Sequence, residues 1–182
     1  MKTIKACALL LSGLVVGASV GCSSTSVKSA DVSSSIRQTL DQAGLKDVSV
    51  KQDRDNGVVT LGGHVATESD KYRAEAVAKQ VALSQVVSNE IAVLPPGSES
   101  AAKAINSDLD KGIEKDLDAA LIQNGLEKIV KHSVKNGVVT LRGEADSQST
   151  RAAAARIAAT VPNVQQVVNE VQVKHQKATS TR

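Results

Sequence analysis

The chain has 182 residues, 41% of them hydrophobic, with a formal net charge of +3 and one aromatic residue, Tyr72. This shortage of aromatic side chains argues against single-stranded nucleic acid as a ligand, because base stacking on aromatic rings supplies much of that affinity. Two of the positive charges, Lys2 and Lys5, lie in an N-terminal segment with the features of an export signal. The remaining charge is too small to indicate a nucleic-acid partner.

Residues 1–21 are predicted to be a secretory signal peptide. Lys2 and Lys5 precede a run of apolar and small residues from Ala6 to Gly21. This run is shorter than the roughly 20 residues that a transmembrane helix needs, and it ends in small residues as a cleavage region does. The alternative is an uncleaved N-terminal anchor helix.

Cys22 follows directly, in the context Ser19-Val20-Gly21-Cys22-Ser23. This context resembles the lipobox of bacterial lipoproteins, which implies that Cys22 is acylated and becomes the first residue of the mature protein. Ser23 in place of Asp implies sorting to the outer membrane. Since Cys7 would leave with the signal peptide, no thiol would remain for a disulfide, a metal or a nucleophile. The alternative is ordinary cleavage, which would release a soluble periplasmic protein.

The folded part of the chain is a tandem duplication. The segment Asn-Gly-Val-Val-Thr-Leu-Gly-Gly at 56–63 returns at 136–143 with one position changed. Each copy has roughly 65 residues, close to the lower limit for a domain with its own hydrophobic core. We therefore predict a first domain at 31–94 and a second at 108–174. The remaining segments are a flexible tether at 22–30, a linker at 95–107 and a disordered tail at 175–182.

The elements of each copy follow in the order helix, strand, strand, helix, strand. Val32, Ile36 and Leu40 recur at helical spacing before Gly44, and the second copy repeats this pattern with Ile113, Leu117, Leu121 and Gly125. In each copy Asn-Gly between two β-prone runs predicts a hairpin with a type I′ turn. Gly63 and Gly143 are expected where a strand bends or a neighbouring helix approaches closely.

A second helix is predicted in each copy, followed by a closing strand. In copy one it covers 69–82 with Tyr72, Ala76, Val77 and Val81 facing inward, and in copy two it covers 149–161. The closing strands are expected at 87–93 and 167–173. The Asn-Glu pair near the start of each is interpreted as bonding backbone groups of a neighbouring loop.

The repeated Asn-Gly-Val-Val-Thr-Leu-x-Gly and the later Val-x-Asn-Glu-Ile/Val resemble the BON domain, named for bacterial osmotically induced and nodulation proteins. The resemblance covers about 28–95 and 108–174. It implies an α+β fold of two tandem small α/β sandwich domains, each αββαβ with two helices on a three-stranded mixed sheet. It also implies no catalytic centre, phospholipid binding, and a role in osmotic stress tolerance and envelope integrity.

The residues themselves indicate neither an enzyme nor a metal or cofactor site. His64, His132 and His175 are scattered, without metal-ligand spacing that repeats between the copies, and they are interpreted as solvent-facing. The sequence offers no nucleophile with a matching base and no pair of carboxylates. It also lacks a glycine-rich loop that could bind phosphate. The sequence therefore favours a binding function.

The best candidate binding surface is basic and lies in the second copy. It consists of Lys131, Lys135, Arg142, Arg151 and Arg156, with Arg142 expected near the hairpin end. Such residues could contact anionic phospholipid headgroups, although ordinary solubilising charge would look the same. Two alternatives remain open: a module that binds an envelope protein partner, and a soluble periplasmic stress protein resembling a chaperone.

Overall fold

A computed structural model describes residues 28–174, so the predicted signal peptide, Cys22 and the predicted tail at 175–182, which includes His175, lie outside the described residues. It confirms the α+β class and the two tandem αββαβ domains. The first domain contains α1 (Ser33–Gln42), β1 (Val48–Asp53), β2 (Val58–Val65), α2 (Glu68–Ala82), β3 (Val86–Asn89) and β4 (Ala92–Val93). The second contains α3 (Glu99–Gln123), β5 (Val130–Lys135), β6 (Val138–Ala145), α4 (Gln148–Thr160), β7 (Gln166–Asn169) and β8 (Gln172–Val173).

Each domain has a mixed sheet whose closing strand is interrupted. β2 pairs antiparallel with β1 and parallel with β3, and β4 continues the parallel pairing further along β2. At the interruption Asn89 donates from Nδ2 to the Lys71 carbonyl at 3.3 Å and accepts the Ile91 N–H at 3.4 Å. Asn169 makes the corresponding bonds in the second domain. Both Asn residues therefore bond backbone groups, as expected, but these groups belong to the second helix and to the interruption itself rather than to a neighbouring loop.

The cores consist of aliphatic side chains, and alanines let the helices pack closely on the sheets. In α2 the fully buried positions are Ala74, Ala78 and Ala82. The prediction that Tyr72 and Ala76 face inward was wrong, because Tyr72 is 66% exposed and Ala76 is also exposed. A helix held this close to a sheet by alanine leaves no room for a ring on its inner face.

The two hairpins differ in their turns. Asn136 and Gly137 have φ of 48° and 77° and join Lys135 directly to Val138, which confirms the type I′ turn in copy two. In copy one β1 ends at Asp53, so four residues form the loop and Asn56 does not have positive φ. The type I′ prediction was wrong there because the loop of copy one is two residues longer.

Gly63 and Gly143 lie where the backbone of an adjacent strand approaches, rather than a helix. A Cβ atom at Gly63 would lie 2.0 Å from the Asp47 carbonyl oxygen, and one at Gly143 would lie 2.0 Å from that of Ile129. Both glycines also have positive φ. Only glycine fits this crossing of chain segments.

Two segments that the sequence places outside the domains, the linker and the flexible tether, contact the folded domains. The predicted linker at 95–107 is helical from Glu99 onward, and α3 continues through it into the second domain. At the other end, Ser29 and Arg54 exchange two hydrogen bonds, of 2.9 Å and 2.7 Å, which dock residues 28–30 beside the first hairpin. Between residues 28 and 174, no helix has both the length and the apolar character needed to cross a membrane.

Candidate functional site

Three of the five predicted contact residues lie on the sheet of the second domain. Lys131 and Arg142 are directly opposite each other on β5 and β6, at the end of the pair remote from the hairpin. The sequence suggested that Arg142 lies near the hairpin end, and this prediction was wrong. The Arg142 Nε donates to Glu170 Oε2 at 2.7 Å, and its side chain remains 61% exposed. Lys135, beside the turn, reaches Glu90 Oε2 of the first domain at 3.4 Å.

The other two candidates, Arg151 and Arg156, lie on α4, which packs on the opposite face of that sheet. Arg151 is half-buried and donates to the Asn169 carbonyl at 3.2 Å, while its Nε is buried without a hydrogen-bond partner. Arg156 is exposed. The five basic residues therefore do not form one continuous patch, and they occupy the two faces of the second domain.

The two domains pack against each other through their closing strands. The Gln166 side-chain amide makes two hydrogen bonds to the backbone along the free edge of β3. Its Nε2 donates to the Val87 carbonyl at 2.7 Å, and its Oε1 accepts the Asn89 N–H at 3.0 Å. This amide takes the place of a backbone peptide in a neighbouring strand, so it closes an edge that would otherwise be open to pairing.

Each hairpin also contacts the interrupted strand of the other domain. Asn136 donates from Nδ2 to the Glu90 carbonyl at 2.8 Å. Reciprocally, Gln172 donates from Nε2 to Asn56 Oδ1 at 2.8 Å. Because Asn56 and Asn136 occupy equivalent positions in the repeat, the two domains face each other in an approximately reciprocal way, as subunits of a two-fold dimer do.

The centre of the junction is apolar. Val58, Val138 and Val168 form a separate buried cluster. Ser88 stands at the position equivalent to Val168, and it is 1% exposed with no hydrogen-bond partner for its hydroxyl. The first domain therefore places an unsatisfied polar atom at a junction to which the second contributes a valine.

Several clefts lie along the junction, and two of them, of about 350 and 310 Å³, are related by the repeat. Lys71, only 6% exposed, borders the larger one and donates to Gln165 Oε1 of the second domain at 3.1 Å. The clefts use equivalent residues: Glu68, Lys71, Ile91 and Val93 with Asn136 and Gly137 in one, and Gln148, Arg151, Val171 and Val173 with Asp55 and Asn56 in the other.

The carboxylate of Asp110 on α3 holds the second hairpin in position. Its two oxygens accept the N–H groups of Asn136 at 2.8 Å and Gly137 at 2.9 Å. In the first hairpin Asp53 has the corresponding local role. Backbone and side-chain hydrogen bonds from Asn56 hold the pKa of Asp53 below its ordinary value, and the nearby positive charge of Arg142 adds to this effect.

The histidines differ in their surroundings. His64 is exposed, as expected. The prediction that His132 faces solvent was wrong, because its side chain is only 14% exposed and its Nε2 lies 3.6 Å from Asp118 Oδ1. His132 is paired with the buried Leu141, so it points to the helix-covered side of the sheet. Among residues 28–174, no three His, Cys, Asp or Glu side chains are grouped as metal ligands.

The junction residues were missed by reasoning from the sequence. Gln165 and Gln166 make contacts between the domains; the first has an identical equivalent, Gln85, whereas the equivalent of Gln166 is Val86. A difference between two otherwise similar copies was the available signal. It could not be interpreted without knowing that the closing strands meet.

The comparisons identify the repeated unit. The BON domain family model matches residues 28–95 and 109–175. An uncharacterised protein encoded in the 5′ region of gshII in Anaplasma centrale is 33% identical over 123 residues, which cover 66% of this chain and 79% of that protein.

Two solved structures of CdsD, a structural protein of the type III secretion system of Chlamydia trachomatis, also align. One is 16% identical with a TM-score of 0.31, covering 78% of this chain and 61% of that one. The other, of the C-terminal domain, is 15% identical with a TM-score of 0.33, covering 82% of this chain and 100% of that one. Both TM-scores are too low to bear on function.

Proposed function

Because the chain belongs to the BON domain family and carries the domain twice, we propose that it is a non-enzymatic bacterial envelope lipoprotein that binds anionic phospholipid. Family membership indicates an envelope or periplasmic protein that binds a membrane or protein partners. The finer proposal is an anchor at Cys22 in the outer membrane, on its periplasmic face. There the protein would support envelope integrity under osmotic stress.

The observation that carries the lipid assignment is the pairing of Lys131 with Arg142. Like charges directly opposite each other on adjacent strands repel and destabilise a sheet. Here two cations share an exposed face with only one bonded carboxylate, that of Glu170. A headgroup phosphate would relieve this repulsion. Each such cation contributes about 1 kcal/mol near an anionic leaflet.

The remaining candidates would contribute unequally. Arg156 is exposed on α4 and makes no ion pair within residues 28–174, so it is available to a headgroup. Lys135 already forms an ion pair with Glu90, and Arg151 already donates a hydrogen bond to the Asn169 carbonyl. Because Arg156 lies on the face opposite to Lys131 and Arg142, the two sets cannot contact one flat leaflet together, and we expect Lys131 and Arg142 to contribute most of the lipid affinity.

Anchoring and headgroup binding would act together. Buried acyl chains contribute about 0.8 kcal/mol per methylene, and more than one chain is needed for stable attachment. A triacylated Cys22 would satisfy this need. The domains could then bind headgroups weakly, because the anchor keeps them at the surface at high effective concentration.

The anchor is tested by the intact mass of the mature protein purified from membranes, with Cys22→Ala as the control. We expect a chain that begins at Cys22 and carries acyl chains, and no such species from the variant. An unmodified chain would reject the anchor and favour the soluble periplasmic alternative.

The lipid contacts are tested with unacylated protein on vesicles containing phosphatidylglycerol. The double variant Lys131→Glu and Arg142→Glu should bind more weakly than the unaltered chain. The matched control, Lys103→Glu with Lys115→Glu, makes the same change in net charge at exposed sites on α3. Equal losses in both would mean that only overall charge matters, and the site assignment would fail.

A further inference from the structure

One end of the first domain combines the start of the described chain with two exposed apolar side chains. Three loops meet there: residues 28–30, the first hairpin loop at 54–57, and the α2 to β3 connection at 83–86. We call this set the tether face. Leu83 is 74% exposed and Val86 is 48% exposed.

Hydrogen bonds hold the three loops of the tether face together. Gln85 donates from Nε2 to the Ala30 carbonyl at 3.0 Å, and the Val86 N–H donates to the Gly57 carbonyl at 2.9 Å. Ser29 completes the set by bonding Arg54. Leu83 and Val86 are thus fixed beside the point at which the tether enters the fold.

The length of the tether limits how far the tether face can lie from the bilayer. Five residues lie between Cys22 and Lys28, and the six steps from one to the other span at most about 22 Å. A compact unit the size of the two domains has a radius of gyration of about 15 Å and is roughly 38 Å across. An acylated Cys22 therefore cannot reach round the protein, and the surface around Lys28 stays within about 22 Å of the bilayer.

The backbone at Leu83 gives a second, independent indication. Leu83 has φ of 58°, a conformation that strains a bulky L-residue and recurs at sites where function selects the side chain. The equivalent residue in the second domain is Asn163, with φ of 64°, and asparagine tolerates this region well. With ψ of −117° Leu83 also lies outside the left-handed helical region in which most non-glycine residues with positive φ are found, so the first domain keeps an exposed leucine in a strained conformation.

Position 86 also differs between the two copies, and again the first copy has the more apolar residue. Val86 is exposed in copy one, whereas its equivalent Gln166 is used in the junction between the domains. Both differences make the tether face more apolar than the equivalent end of the second domain. An apolar loop tip beside an anchor has the chemistry of a side chain that enters the headgroup and acyl boundary of a membrane.

We propose that Leu83, supported by Val86, inserts into the bilayer that holds Cys22 and so fixes the orientation of both domains on the membrane. This inference rests on the proposed lipid anchor. The occupant of the tether face is the lipid surface itself. Arg142 lies close enough to Asp53 in the first hairpin to lower its pKa, so the basic sheet face of the second domain borders the same end.

Tryptophan is a suitable probe, because the chain contains none. Leu83→Trp in the acylated protein, reconstituted in vesicles of phosphatidylethanolamine and phosphatidylglycerol, should show blue-shifted emission that brominated lipid quenches. Asn163→Trp is the matched control, since it is the equivalent residue of the second domain, also has positive φ and is also exposed. Unshifted and unquenched emission from the Leu83→Trp protein, or equal quenching in both variants, would overturn the proposal.

Failure of the anchor can be separated from failure of the orientation. Intact mass reports acylation independently of fluorescence. If the chain carries no acyl group, its Cys22 thiol can be coupled to a maleimide lipid and the same emission measured. Should Leu83→Trp misfold, Val86→Trp reports on the same face.

A purely structural role for Leu83 is tested by a further variant. Leu83→Asn replaces leucine by a residue that adopts positive φ more readily, so thermal stability should be unchanged or higher. Partitioning of the Cys22→Ala protein onto vesicles should weaken about tenfold, as expected for loss of one inserted leucine. Lower stability with unchanged partitioning would show that Leu83 serves the fold and would contradict insertion.

Discussion

Replacing Gln166 by alanine should loosen the two domains, because one side chain makes two hydrogen bonds across the junction. Its amide bonds the Val87 carbonyl at 2.7 Å and the Asn89 N–H at 3.0 Å. Each bond contributes about 1 kcal/mol net, so the loss should be about 2 kcal/mol. It would be greater if the β3 edge stayed buried without partners.

Urea unfolding of the mature Cys22→Ala chain measures this loss. A decrease of about 2 kcal/mol corresponds to roughly 4–8 °C in melting temperature for a protein of this size. The unfolding transition should also separate into two as the domains uncouple.

Gln172→Ala is the matched control for this measurement. It removes one exposed bond across the same junction, to Asn56, and should cost about 0.5 kcal/mol. If both variants lost the same stability, the paired amide at β3 would have no special role in coupling the domains.

Three further predictions concern the cores and turns. Ser88→Ala should raise stability by about 1 kcal/mol in urea unfolding, because it removes a buried hydroxyl without a partner; a decrease would mean that this hydroxyl is bonded. Gly143→Ala should cost at least about 2 kcal/mol more than Gly125→Ala, since both glycines have positive φ but only at Gly143 would a Cβ meet backbone at 2.0 Å. Asp53→Asn should lower stability at neutral pH and have no effect in strong acid. Because the folded state lowers the pKa of Asp53, its carboxylate stabilises the fold above the ordinary pKa of 3.8, and this stabilisation is lost as the pH falls through the folded-state pKa. A pH-independent difference in stability would contradict this.

The sequence predicted those parts of the fold that depend on local periodicity. The helix formed around Ile36 and Leu40, and the Asn136-Gly137 turn, both follow from residue spacing and turn chemistry. The inward face of α2 did not follow, because the helix lies close to the sheet on alanines and Tyr72 is left outside. The loop of the first hairpin was misjudged because its register depends on where β1 ends.

The candidate site depended on contacts that no local pattern contains. Lys131 and Arg142 become neighbours only through the register of β5 and β6. Gln166 acquires its role only because β3 and β7 meet. Side-chain type identified the basic residues, whereas strand pairing and domain packing determine which of them share a surface.

Differences between the copies are informative where they lie outside the cores. Val59 and Leu61 have identical, fully buried equivalents in Val139 and Leu141, because both cores must fill the same space. At the junction, by contrast, Gln166 stands where the first copy has Val86, and at the tether face Leu83 stands where the second copy has Asn163. A duplicated domain needs two identical cores but only one junction and, in the orientation that we propose, one membrane-facing end. This division of roles explains why the first copy exposes apolar side chains beside the tether and the second supplies the polar contacts that hold the pair together.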